Sequence, residues 1–280
     1  YNEVNIIGTS HLLNILANEN HTIEKMIIAS SRSIYGEGKY FCNHDGHVYP
    51  FDRQEEDLLQ GNFEPRCPFC KGKLELNPTD EISKIHPSSI YGITKHQQEQ
   101  MILLMGKVLN IPAIALRYQN VYGPGQSLTN PYTGILSIFS TRLLNGNNID
   151  IYEDGNESRD FVFIDDVVNA TTMALENQKA DNKIFNVGSG FSTSVNEVAR
   201  ILHNLYKSNG NITISGKFRL GDIRHNYADL TKITDTLGFS PEIDFKTGIE
   251  RFVKWVKTQE IQEDKYEKSI QKLKNKGLMK

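Results

Sequence analysis

The sequence predicts an α/β fold built on a parallel sheet, and three observations predict it. Two short continuous apolar runs, residues 25–31 and 111–118, have the length and composition of strands buried on both faces. Segments with helical periodicity alternate with such runs through the first half of the chain, which is the order of a parallel βαβ layout. Both runs end in polar residues, Ser30-Ser31 and Tyr118-Gln119-Asn120. In sheets of this kind ligands bind beyond the carboxyl ends of the strands.

Taken in order, residues 1–17 read as a helix with Val4, Ile7, Leu12, Ile15 and Leu16 at roughly helical spacing. The first strand follows at 25–31. Residues 36–86 are polar, contain Gly and Pro, and lack strong periodicity, so they read as an insertion. Residues 88–109 read as a helix and 111–118 as the second buried strand, followed by the turn-rich stretch Asn120-Val121-Tyr122-Gly123-Pro124-Gly125. A helix is expected at 133–144, a strand at 150–153 and another at 161–164. Asp165 or Asp166 is placed to cap a helix reaching residue 177. Residues 183–187 read as a strand ending in Gly188-Ser189-Gly190. Ser194, with Glu197 three residues on, reads as the cap of a helix to Tyr206. A strand at 212–218 and short helices at 229–237 and 247–257 complete the periodic part. Residues 259–280 are highly charged and read as a solvated helix or frayed end. The expected organisation is residues 1–119 as one unit carrying the insertion, 120–258 mostly as a smaller lobe with segments returning to the first, and 259–280 as a tail.

Composition narrows the function classes. A formal net charge of −3 over 280 residues gives no argument for nucleic acid or an anionic membrane. No apolar run approaches the roughly 18 residues of a membrane span, and no signal peptide is visible. Three cysteines in a chain of this length do not form a secreted disulfide framework. A cytoplasmic protein is expected. The chain opens Tyr1-Asn2-Glu3-Val4, without Met and in what reads as mid-helix, so a fragment of a longer protein is expected.

The chemistry starts at Tyr91-Gly92-Ile93-Thr94-Lys95. A Tyr and a Lys four apart on a helix share one face. A cation beside a phenol favours phenolate and brings a pKa of about 10 toward the range of a general base. Such a base can take the proton of an alcohol while hydride leaves the same carbon. Alone, the pair is more often a surface contact.

Its company decides. Asn5-x-x-Gly8-Thr9, Ser30-Ser31-Arg32-Ser33-Ile34-Tyr35-Gly36, Tyr91-x-x-x-Lys95, Arg117-Tyr118-Gln119-Asn120 with the turn after it, Arg159-Asp160-Phe161 with Asp165, Asn186-Val187-Gly188 and Arg219-x-Gly221-Asp222 occur in this order over residues 1 to about 257. Together they resemble the extended short-chain dehydrogenase/reductase superfamily, in its NAD-dependent epimerase/dehydratase branch. The resemblance implies an incomplete Rossmann-type parallel sheet, lacking its N-terminal strands, with a smaller α/β substrate-binding lobe. It implies Tyr91 as acid/base, Ser31 bonded to the reacting sugar hydroxyl, and Lys95 on the nicotinamide ribose, lowering the Tyr91 pKa. It places Gln119 at the nicotinamide end of NAD, and Asn120, Arg159 and Arg219 on the diphosphate of a nucleotide sugar. Arginine's planar fork suits a diphosphate. Arg224 could reach phosphate or pair with Asp222. By the same resemblance a homodimer is expected, pairing the helix at 1–17 and the Tyr91 helix with their copies.

The family binds NAD through a Gly-rich turn near the N-terminus. That turn is not found here, and Gly188-Ser189-Gly190 follows a late strand. At roughly 30 residues per βαβ step, some 80 to 90 residues are expected to precede Tyr1, and the chain alone is expected to be inactive.

Of the branch's reactions, 4,6-dehydration needs an acid pair after the catalytic hydroxyl, where this sequence has Arg32 and Ser33; the nearby Glu of the decarboxylases is also absent. Epimerisation at C4 remains. The insertion, with Tyr35-Gly36-Glu37-Gly38 and Glu64-Pro65-Arg66-Cys67-Pro68-Phe69-Cys70, together with Pro131-Tyr132-Thr133-Gly134 and Gly221-Asp222-Ile223-Arg224-His225, is similar to the group that converts dTDP-L-rhamnose to dTDP-6-deoxy-L-talose. A UDP-glucose 4-epimerase-like enzyme and a 4-keto-sugar reductase are the sibling alternatives. A non-catalytic, zinc-stapled scaffold is the alternative of another class.

All three cysteines fall in the insertion. Cys67-Pro68-Phe69-Cys70 is a Cys-x-x-Cys knuckle, and Cys42 stands near His44 and His47. A polar insertion of this size buries little core, and a tetrahedral zinc would staple it. The expected set is Cys42, His44, Cys67 and Cys70, with His47 or Asp45 as substitutes for His44. A redox pair or a site that has lost its metal are the other readings.

Overall fold

The computed structural model describes residues 1–129 and 134–280. A parallel sheet takes the strands Met26–Ser31, Ala113–Tyr118 and Ile184–Val187, with Ala113–Tyr118 in the middle. The register sets Ser31 opposite Tyr118, and Val187 opposite Tyr118 on the other side. Ile114, Ala115 and Leu116 are fully buried, as an unbroken apolar strand covered on both faces must be. One face carries the helices Thr9–Asn18 and Ile90–Leu109, packed through Leu13, Met26, Ile102 and Ala113. The other carries Ile164–Glu176 and Thr231–Leu237, packed through Val167, Ala170, Phe185 and Ile233. The α/β class with helices on a parallel sheet is the one the sequence predicts.

A second apolar core gathers Tyr122, Leu136, Phe139, Ile151, Phe163, Val198, Leu202 and Phe252. It lies among the helices Ile135–Leu144, Val195–Tyr206 and Phe245–Val256. The parallel pair Asn120–Tyr122 and Phe161–Phe163 runs from the end of the main sheet into this region. The insertion folds as an antiparallel sheet with Tyr40–Cys42 between Gly46–Val48 and Glu75–Leu76. The buried core of this sheet is Tyr40, Cys42, Val48 and Cys67, while Leu58 and Phe63 of the insertion pack against Phe218.

Several elements differ from expectation. The first helix opens with a π-helical stretch, Asn2–Gly8, before the α-helix. Neither Asp165 nor Asp166 caps the helix they sit in, because it begins at Ile164. Asp166 is buried and accepts instead from the Glu242 and Ile243 N–H groups (2.9 and 3.2 Å), pinning a distant loop. Ser194 does cap its helix, accepting from Glu197 N–H at 3.2 Å. The strand expected at 212–218 stops at Ile214. The charged tail is not frayed: it forms the helix Tyr266–Asn275, and Phe218 and Lys280 exchange backbone hydrogen bonds of 2.9 and 3.1 Å. Residues 131–133 of the stretch that resembles the dTDP-L-rhamnose group lie outside the described residues. Among the described residues no helix is long and apolar enough to cross a membrane.

Candidate active site

Ser31 ends the edge strand, and its Oγ accepts from the Ser33 N–H (3.2 Å) and Ser33 hydroxyl (2.9 Å), which closes the chain into the turn Arg32–Tyr35. Tyr91 lies in the first turn of its helix, capped by Ser89, whose Oγ accepts from Gly92 N–H at 3.0 Å. Gly92 lets this helix seat against the Ser31 turn. A Cβ there would lie 2.5 Å from the Ser33 carbonyl oxygen and 2.9 Å from Pro87 Cβ. The seating brings the Tyr91 phenol beside the Ser31 side chain.

A buried polar floor supports this corner. Glu99, on the Tyr91 helix, is fully buried and takes a two-pronged bond from Arg117 (2.7 and 3.1 Å) and a bond from the Ser30 hydroxyl. Arg117 also donates to the Tyr35 hydroxyl (2.7 Å), which donates to Asn186 Oδ1 (2.8 Å). Three strands and a helix are thus fixed to one another directly beneath Ser31.

The electrostatics depart from expectation at Lys95. Burial holds the Tyr91 phenol above its ordinary value, Ser31 and Arg32 pull it down, and Tyr1 pushes it up. Lys95 is not what lowers it, because its ammonium donates to Gln98 Oε1 at 2.6 Å, and Gln98 in turn donates to Thr9 Oγ1 at 2.8 Å. Burial lowers the Lys95 pKa, with Glu99 opposing. The cation acting on the phenol is Arg32. Burial and the neighbouring Arg159 lower the Arg32 guanidinium to about 10, which leaves it charged at neutral pH.

Arg32 was legible only as a missing acid, yet it walls two adjoining clefts. One, of about 280 Å³, is lined by Arg32, Asn120, Tyr152, Arg159, Arg219 and Tyr266 among others. The second, of about 270 Å³, shares Arg32, Arg219 and Asp222. Arg32 Nε donates to Asn120 Oδ1 at 3.0 Å, which joins the Ser31 turn to the cleft. Arg159, Arg219, Arg32 and Arg53 together hold the Asp222 carboxyl below its ordinary value, against burial. So many guanidinium groups around one carboxylate leave surplus positive charge for an anionic ligand.

The predicted cleft residues are not alike. Arg219 is exposed. Arg159 is buried, and its fork is turned onto the carbonyls of Ser158, Ile223 and Arg224 (2.7–2.9 Å) and onto Asp222 (3.1 Å). Arg224 reaches neither phosphate nor Asp222 with its side chain. Fully buried, it pairs with Glu64, Glu153 and Asp154 at 2.6–2.8 Å. Glu157, unannounced by any motif, lines the cleft 3.6 Å from Arg224, and burial pushes its carboxyl up to about 7. The turn Gly188-Ser189-Gly190 is occupied by protein: Ser189 and Gly190 N–H donate to buried Asp160 at 2.7 and 3.1 Å.

Gln119 has the feature a cofactor residue needs. It is 5% exposed, and neither polar atom of its amide has a partner among the described residues. A buried unpaired group costs about 1–3 kcal/mol, and a carboxamide such as that of nicotinamide is complementary to it.

In the insertion, Cys42, Cys67 and Cys70 converge as expected, but His44 does not join them. Its side chain is 80% exposed and bonds Asp45 Oδ1 through Nδ1 at 2.9 Å. Asp45 faces the sulfurs in its place.

Residues 1–188 match the sequence profile of the NAD dependent epimerase/dehydratase family. The chain belongs to that family. It is 36% identical over 253 residues to a dTDP-L-rhamnose 4-epimerase of Burkholderia thailandensis, covering 90% of this chain and 68% of that protein. It is 34% identical to a putative UDP-glucose 4-epimerase of Methanocaldococcus jannaschii, covering 91% and 70%. Among solved structures, a UDP-N-acetylglucosamine 4-epimerase of Methanobrevibacter ruminantium superposes with a TM-score of 0.71 at 28% identity, over 93% of this chain and 71% of that one. A UDP-glucose 4-epimerase of Thermotoga maritima, solved with UDP-glucose, gives 0.67 at 28%, over 90% and 69%.

Proposed function

We propose that the protein is an NAD-dependent nucleotide-sugar 4-epimerase and that its substrate is dTDP-L-rhamnose, converted to dTDP-6-deoxy-L-talose. The observation that carries the chemistry is the Tyr91 phenol set beside Ser31 at the end of a parallel strand and next to Arg32, which walls a cleft together with Arg159 and Arg219. The choice of sugar is supported by the 36% identity to the Burkholderia enzyme.

In this reading the sugar's 4-hydroxyl lies between Ser31 and Tyr91. Ser31 holds it, and the Tyr91 phenolate takes its proton and later returns it. NAD, when bound, supplies a reversible hydride acceptor for C4. Gln119 would hold the carboxamide and Lys95, released from Gln98, the ribose; Arg32 stabilises the phenolate. Asn120, Arg219 and Arg159 face the diphosphate, with Arg159 acting mainly by setting the 222–224 loop. The free edge of Met26–Ser31 is where the strands bearing the rest of the cofactor site would pair. Val4, Leu12, Ile15, Leu104 and Val108 leave an exposed apolar face on the two neighbouring helices, which a second copy of the chain would cover.

The test uses the protein at its natural length, incubated with dTDP-L-rhamnose without added cofactor and followed by NMR. The 4-epimer is expected, with activity reduced about 10²–10⁴-fold in Tyr91→Phe. Turnover of UDP-glucose instead would keep the chemistry and replace the sugar. No turnover of either, with no NAD released on denaturation, would overturn the reading.

A further inference from the structure

The cysteines belong to two turns that face each other. The first, Cys42-Asn43-His44-Asp45-Gly46, joins two strands of the insertion sheet. The second is Cys67-Pro68-Phe69-Cys70-Lys71-Gly72. Each carries a ligand-bearing side chain at its first and fourth positions, followed by a residue with positive φ: Gly46 at +72° and Lys71 at +61°. Lys71 N–H donates to the Cys67 carbonyl (3.1 Å) and Cys67 N–H to the Gly72 carbonyl (3.0 Å), which fixes the second turn. The two turns are versions of one device, with Asp in one copy where the other has Cys.

Their four ligand atoms all lie within 4.8 Å of one another. Cys42 Sγ is 3.5 Å from Cys70 Sγ and 3.4 Å from Asp45 Oδ2, and Cys67 Sγ is 3.1 Å from the same oxygen. Four ligands at about 2.3 Å around a tetrahedral ion stand roughly 3.8 Å apart, so small adjustments close the shell. The spacing is too long for a disulfide, whose sulfurs lie about 2.05 Å apart, and all three cysteines are free. Three thiolates and one carboxylate suit a borderline-soft divalent ion; calcium and magnesium want more oxygens. We propose that Cys42, Asp45, Cys67 and Cys70 bind one zinc ion, with His44 orienting the Asp45 carboxylate from outside through its second oxygen.

The ion is structural, and its effect reaches the cleft. The buried core of the insertion sheet is four residues, two of them ligands, so the metal replaces the apolar burial that this sheet lacks. Glu64, three residues before Cys67, accepts from Arg224 at 2.6 and 2.8 Å, and the Arg224 carbonyl accepts from Arg159 at 2.9 Å. Fixing the second turn therefore fixes an edge of the anion-binding wall.

The test is elemental analysis of the natural-length protein, purified without chelator or immobilised metal. One zinc per chain is expected. It should be lost in Cys67→Ser, lost or easily chelated in Asp45→Ala, and kept in His44→Ala. Should the variants fail to fold, cobalt(II) in the unaltered protein keeps the question decidable. Tetrahedral d–d bands and a sulfur-to-cobalt charge-transfer band of three-thiolate intensity are expected. Zinc absent, with three thiols that react freely in the native state or with two joined as a disulfide, would overturn the proposal. So would full zinc retention in Cys67→Ser.

Discussion

Arg117 and Arg224 are both almost inaccessible to water, and they are held in opposite ways. Arg117, under the Ser31–Tyr91 corner, meets a single carboxylate, Glu99, and the pair is sealed, at 4% and 0% side-chain exposure. Arg224, between the insertion and the cleft, meets Glu64, Glu153, Asp154 and Glu157, and two of these, Glu64 and Asp154, reach water at 59% and 41%. The first arrangement balances one charge with one charge. The second gathers four acids around Arg224, with Arg53 sharing Glu153 and His225 sharing Glu64, and leaves part of the charge to solvent and to protonation. The floor of the site should therefore be rigid, while the strut behind the cleft should be adjustable and titratable.

The comparison breaks most easily at the floor. Glu99→Ala leaves a buried guanidinium without its partner and should cost about 3–5 kcal/mol, read by denaturant unfolding. A cost under about 1 kcal/mol would mean that the floor is as forgiving as the strut.

The next effect is a pH slope. Burial, reinforced by Glu153, raises the Glu157 carboxyl from 4.5 to about 7. The native state then holds a proton that the unfolded chain releases. This stability is complete below about pH 4.5 and is lost as pH rises through 7, a difference on the order of 3 kcal/mol at most. Glu157→Gln should flatten unfolding free energy against pH in that window.

The smallest expected effect sharpens the contrast. Glu64 is largely exposed, so Glu64→Ala should change stability by under about 1 kcal/mol. Its partner loop carries the Arg159 contacts, so KM for the nucleotide sugar should rise several-fold with kcat little changed. Steady-state kinetics beside a melting curve would separate the two.

What was legible in the sequence follows the same division. The sheet, the Tyr91 helix and the Ser31 strand end declare themselves, because an unbroken apolar run such as Ile114-Ala115-Leu116 has few other places to go. The strut does not. Glu64 and Glu153 contact one guanidinium from positions 153 − 64 = 89 residues apart, and no local pattern encodes that. Arg32 was hidden for another reason: the spacing marks its position, but its side chain gains a role only where Asn120 and Arg159 come near. For the knuckle the spacing identified the turn and left His44, Asp45 and His47 open; the first-and-fourth geometry of the turn selects Asp45. The charge run read as a solvated helix or frayed end; the helix is present, and Tyr266 against Arg142 at 4.0 Å and buried Met279 bind it down in a way no charge pattern shows.

Gly92 sets a boundary for anyone wishing to change the sugar this scaffold accepts. Tyr152 and Tyr266 line the cleft with side chains that can be exchanged, and a combinatorial library could range over them. At position 92 even a methyl group collides with backbone. The reach from Ser31 to Tyr91 is thus calibrated by a missing side chain, and variants there should drop out of any selection before their specificity can be read.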